Sequence, residues 1–122
     1  MVVRIKRKEE YRGTASPSDL NVETDLINLG TYENAIILEG YVDLSQLQSG
    51  DSVKLVIYIA VDGSNRRKLD TITADGPLEN PVVHLLSMTL PKDAQPRVTI
   101  TQTQGTVRSF PYWFVVQVLE EI

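Results

Sequence analysis

"SVKLVIYIAVDGSNRRKLDTITAD", residues 52–75, decides the fold. Val53, Leu55, Ile57, Ile59 and Val61 fall on one side of an extended chain, and Val56, Tyr58 and Ala60 fall on the other. Alternation describes this run better than the i, i+3, i+4, i+7 spacing of a helix. A strand that is apolar on both faces is central in its sheet, or its outer face meets another subunit. Asp62-Gly63 then reverses the chain, because that dipeptide accepts the positive φ angles of a tight hairpin. The return from Arg66 to Asp75 is more polar and reads as an edge strand.

The same grammar extends in both directions. Residues 34–45 place Ile36, Leu38, Val42 and Leu44 on one face, with Gly40 among them. A glycine there marks a bulge or a close packing contact. Gly50 and Asp51 form a turn, and Leu47 plugs the end of the core. Residues 2–11 read as a first strand, 12–21 as a polar loop and 22–30 as a weak strand. "VVHLLSMTL" (82–90) is extended and bounded by Pro81 and Pro91. The last pair, within 97–119, reads as a hairpin that reverses at Gln104 and Gly105. Pro111 lacks a ladder donor, so its strand is expected at an edge or bulged there. Seven or eight such strands imply an all-β, single-domain antiparallel β-sandwich of jelly-roll-like form, with an immunoglobulin-like sandwich as the alternative. Residues 1–12 form a basic N-terminal arm or first strand, and residues 13–122 the sandwich.

Composition narrows the function. The chain has 122 residues, 42% hydrophobic and 23% charged, with a net charge of −4. With no cysteine, disulfides, thiolate metal sites and cysteine nucleophiles are excluded. No apolar run approaches the ~20 residues of a membrane-spanning helix, and no signal-peptide pattern opens the chain. The first twelve residues carry Arg4, Lys6, Arg7, Lys8 and Arg12 against Glu9 and Glu10, a net of +3, which leaves −7 on the rest. An acidic body disfavours nucleic acid as a partner, except through the basic arm.

Catalytic patterns are missing. His84 is the only histidine, within an apolar run, and no G-x-S-x-G elbow presents a serine. Asp62, Asn65 and Asp70 sit at turns without the spacing of a calcium loop. No catalytic residue, metal ligand or cofactor follows. The aromatic cluster at 110–114 splits by alternation. Phe110, Tyr112 and Phe114 go to one side, and Trp113 goes to the other with Val115 and Gln117. Trp113 then fits a second buried layer, a subunit contact or a ligand-stacking surface. In the ligand reading, Tyr112 or Trp113 stacks on a sugar while Gln102, Thr103 and Gln104 hydrogen-bond its hydroxyls.

Residues 42–70 and 90–118 carry a family likeness. They combine "L-x-x-G-D-x-V", an apolar strand, a "DG" turn, a basic edge and "V-T-I-T-Q-T-x-G-T-x-R-S-F-x-Y". From Ile36 onward the chain resembles small β-sandwich structural proteins of tailed bacterial viruses and archaeal viruses, which serve as head-decoration, head-fibre or tail accessory modules. The resemblance implies a non-enzymatic, self-associating subunit, foremost a trimer, bound to a larger assembly such as a capsid. It places the protein in the virion, with the cytoplasm as the alternative location. Taken with the residue pattern, it makes Arg4, Lys6, Arg7, Lys8, Val56, Tyr58 and Trp113 the candidate contact residues.

Overall fold

Each stretch rich in alternating Val, Ile and Thr is a strand in the computed structural model, which describes residues 2–122. In chain order the strands are β1 (Val3–Ala15), β2 (Thr24–Asn28), β3 (Ile36–Asp43), β4 (Ser52–Ile59), β5 (Arg67–Asp75), β6 (Val82–Leu90), β7 (Arg97–Gln104) and β8 (Phe110–Glu121). They form two four-stranded sheets, ordered β1-β8-β3-β6 and β2-β7-β4-β5.

The pairing follows one rule. β4 pairs with β5, β3 with β6, β2 with β7 and β1 with β8, all antiparallel. The chain is one long hairpin, folded at Asp62-Gly63 and rolled over on itself. Contacts of β3 with β8 and of β4 with β7 close the roll into two sheets. This is the eight-stranded jelly roll expected from the sequence, and its winding excludes the immunoglobulin-like alternative.

Alternation fills the space between the sheets. Leu38, Leu55, Ile100, Phe110, Phe114, Val116 and Val118 are completely buried there. Leu47 closes one end of the core at 1% exposure. β4 is central, between β7 and β5, and β5 is an edge, as their polarity implied. Val61 lies beyond the end of β4 and is exposed rather than part of the core face. β1 continues to Ala15, through residues expected to be loop. Gly40 fulfils both roles expected of it. The β3–β6 register shifts between Gly40 and Tyr41, and the Phe114 ring lies directly over the glycine.

The 97–119 segment is not a hairpin. β7 and β8 lie in different sheets, so residues 105–109 cross between the two layers. Each of these strands has an apolar face and buries it from its own side of the core. β8 is a central strand despite Pro111. The β3 ladder ends at Val42↔Tyr112, so Pro111 sits one residue past it and needs no donor on that side.

Candidate functional site

Several of the residues singled out in the sequence hold this fold or face different surfaces. Gln102 continues the inward face of Val98 and Ile100 and is completely buried. Its Nε2 donates to the carbonyls of Gln104 (3.0 Å) and Thr106 (2.7 Å), and its Oε1 accepts from the Arg108 N–H (2.9 Å). The amide therefore shapes the 105–109 crossover and presents nothing to a ligand. Asp51 grips the same crossover from the other side. Its carboxylate accepts the N–H groups of Gln48 and Thr106 and the Nε of Arg108 at 2.8–3.0 Å. These donors, the Gln48 N–H foremost, hold its pKa below the usual carboxylate value. Gly105, at φ +92°, passes too close to Asp51 for any side chain. Gln104 is exposed at the end of β7, and Thr103 donates to the Ser52 carbonyl. Tyr112 packs on the core, edge-on to Phe114. The residues expected to hold a sugar, Gln102, Thr103, Gln104, Tyr112 and Trp113, are thus not brought together.

The outer face of β2-β7-β4-β5 is closed by its own side chains. Val56 is only 1% exposed, in register between Thr71 and Thr99. The Glu23 carboxylate accepts from the Tyr58 hydroxyl (2.5 Å) and the Thr99 hydroxyl (2.7 Å). Both bonds lower its pKa, Tyr58 more. Arg97 lies over the Tyr58 ring at 5.2 Å and bonds Asp25. Val56 therefore offers no surface to a partner, which corrects its place among the contact residues. Alternation placed it on the outer face, but neighbouring side chains cover it.

The basic residues of β1 also have partners within the chain. Arg4 pairs with Glu120 at 2.7 Å, and Arg7 with Glu33 and Glu9. Lys6 approaches Glu33 at 3.7 Å. The Arg7 guanidinium holds the Glu33 carboxyl down to about 2. Lys8 is exposed on the outer face of the first sheet and forms no salt bridge among the described residues.

The outer face of β1-β8-β3-β6 differs in kind. Register places Arg12, Trp113, Tyr41 and His84 side by side, one from each strand. Arg12 lies 5.4 Å from the Trp113 ring centre, Trp113 stacks on Tyr41 at 5.8 Å, and Tyr41 stacks on His84 at 4.9 Å. The result is a ridge across the whole sheet, built from cation–π and aromatic contacts. Trp113 is flanked on both sides, by Arg12 and by Tyr41, which leaves no open ring face for a sugar. The Tyr41 hydroxyl donates to Glu39, and that bond raises its pKa. Beside the ridge runs a groove of about 620 Å³, lined by the next outward row, Thr14, Pro111, Asp43 and Val82, one from each strand. Trp113 keeps 38% of its surface exposed and Val82 60%. Trp113 was legible in the sequence as an outward ring. Its companions were not, because register alone aligns them.

No residues among those described cluster as a group of three or more potential metal ligands. No family model matches the chain, and no curated protein matches it. Among solved structures it is similar to the VP2 subviral particle of infectious bursal disease virus. The identity is 14%, covering 93% of this chain and 33% of that one, with a TM-score of 0.52. It is also similar to T=1 particles derived from infectious bursal virus, at 11% identity, 93% and 32% coverage and a TM-score of 0.51. What is shared is the fold. The chain spans about one third of the length of these relatives. They come from infectious bursal disease virus, which replaces the expected likeness to tailed bacterial or archaeal viruses.

Proposed function

We propose that the chain is a non-enzymatic structural subunit of a virus particle that associates with copies of itself, in a capsid decoration, minor capsid or tail accessory role. One observation carries the reading. The wound jelly roll aligns over 93% of its length with a chain from a subviral particle. The absence of a catalytic pattern in the sequence and the large outward ridge on one sheet support it. A trimer is the oligomer carried forward from the sequence reading, and β1 with its basic residues is a second contact surface. Sedimentation velocity over a wide concentration range, with negative-stain microscopy at the upper end, tests the proposal. Concentration-dependent oligomers or particles are expected. A chain that stays monomeric throughout and binds no particle overturns it.

A further inference from the structure

Two features of the β1-β8-β3-β6 outer face lie next to each other. One is the Arg12-Trp113-Tyr41-His84 ridge, and the other is the apolar groove over Pro111 and Val82. A ridge beside a groove of matching direction is complementary to itself. A two-fold axis lying in the face, across the strands and between the two rows, sets each ridge into the other copy's groove. Trp113 then covers the partner's Pro111, and His84 covers the partner's Val82. We propose that this face packs on the same face of a second copy of the chain. The proposal rests on the reading of a self-associating subunit and assigns one pairwise contact to this face, separate from the heterologous contact of a trimer.

Three considerations select a second copy as the occupant. The first is geometric: an isologous contact needs both halves of the match on one patch, and this patch holds both. The second is charge. The chain carries −4 overall, yet this face sets Lys8 and Arg12 against Glu10, Glu39 and Asp43 and is close to neutral. It is a surface on which two acidic copies approach with little repulsion. The third is composition, since Trp, Tyr and Arg at the centre of a patch are the residues that dominate interface energies. The opposite sheet has no such vacancy, because Glu23, Tyr58, Thr99 and Arg97 already satisfy one another there.

Size sets the strength. Four strands at ~4.8 Å and four outward rows at ~6.8 Å give roughly 500 Å² per copy, or about 1,000 Å² in total. That lies at the lower end of specific interfaces. The contact is therefore weak in isolation and gains from repetition in an assembly.

Val82→Glu places a carboxylate in the groove at an exposed position, so the fold is retained. Thr73→Glu does the same on the outer face of the other sheet and serves as the control. Sedimentation equilibrium of wild type and both variants reads the outcome. Val82→Glu is expected to weaken dimerisation at least about tenfold while Thr73→Glu leaves it unchanged. Because the chain has no cysteine, Thr14→Cys with a short bismaleimide gives a second readout, and crosslinked dimer is expected. If wild type associates but Val82→Glu has no effect and only a Thr73→Cys variant crosslinks, this surface is refuted and the structural reading stands. A strictly monomeric wild type overturns this face, and the structural reading falls with it only if the chain also binds no particle.

Discussion

Replacing Gly40 with alanine tests the tightest contact in the core. Gly40 pairs with Phe114 across β3 and β8, and an added Cβ meets three atoms of that ring at 2.8–2.9 Å. Ordinary contact begins near 3.4 Å, so ring and strand must separate by roughly 0.5–1 Å. Phe114 has nowhere to go. It is completely buried, and Tyr112 abuts it edge-on with ring centres 5.9 Å apart. Overpacking of this kind costs about 1–3 kcal/mol, more than the roughly 0.5–1 kcal/mol that alanine gains over glycine in backbone entropy. The net loss centres on about 1.2 kcal/mol, so at an m of about 1.5 kcal/mol/M urea unfolding followed by circular dichroism should show a midpoint lowered by about 0.8 M with m unchanged. Gly30→Ala is the control: nothing lies within 4 Å of its Cβ and its φ is not left-handed. It should be neutral or stabilising by about 0.4–1 kcal/mol. Adding Phe114→Leu to Gly40→Ala should cost less than the two changes summed, by about 1 kcal/mol. If Gly40→Ala is as stable as wild type, or the two changes simply add, the contact does not govern packing here.

Other consequences follow from the same structure. Gln102→Leu strands the polar groups of the crossover and should destabilise by about 1–3 kcal/mol, while Gln104→Leu stays within about 0.5 kcal/mol; equal effects in a denaturation series would contradict the assignment. Glu9, Glu23 and Asp51 have lowered pKa values, and those of Glu33 and Asp62 lie at about 2. Carboxyls depressed on folding stabilise fully above their unfolded value near 4 and lose that contribution as pH falls through the folded one. The melting temperature should therefore be level down to about pH 5 and decline from there toward pH 2. A melting temperature that rises on acidification would overturn this. Trp113, the only tryptophan, should be quenched by acrylamide in dilute protein and shielded as concentration rises. Quenching that is negligible at every concentration would place the ring in a buried layer instead.

Strand identity and face were legible in the sequence because both depend on local alternation. Residues 82–90 and the inward set Phe110, Phe114, Val116 and Val118 show this directly. Sheet membership was not legible. The 105–109 link has the length and the glycine of a hairpin, and nothing local distinguishes a reversal within a sheet from a step between sheets. Gln102 carried a usable signal: a polar residue extending the apolar face of Val98 and Ile100 implies a buried amide with partners. Val56 misled because an apolar outward residue can be covered by flanking threonines. The Arg12-Trp113-Tyr41-His84 row is set by pairing between segments far apart in the chain, which no periodicity reveals. The sequence left the N-terminal residues as a basic arm or a first strand. Their ladder with β8, from Val3↔Glu121 inward, makes them part of the sheet, so removing residues 1–10 should also cost stability.

The rolled hairpin also constrains how the chain reaches its native state. β4 and β5 meet across a short turn, whereas β1 must find β8 at the far end of the sequence. Loop-closure entropy rises with that separation, and chains dominated by distant pairings fold in milliseconds to seconds rather than microseconds. Zipping from Asp62-Gly63 outward would shorten each successive search, with the β1–β8 ladder closing last. Until it closes, β8 exposes a free edge beside Trp113, and in that interval the chain is most open to pairing with a neighbour.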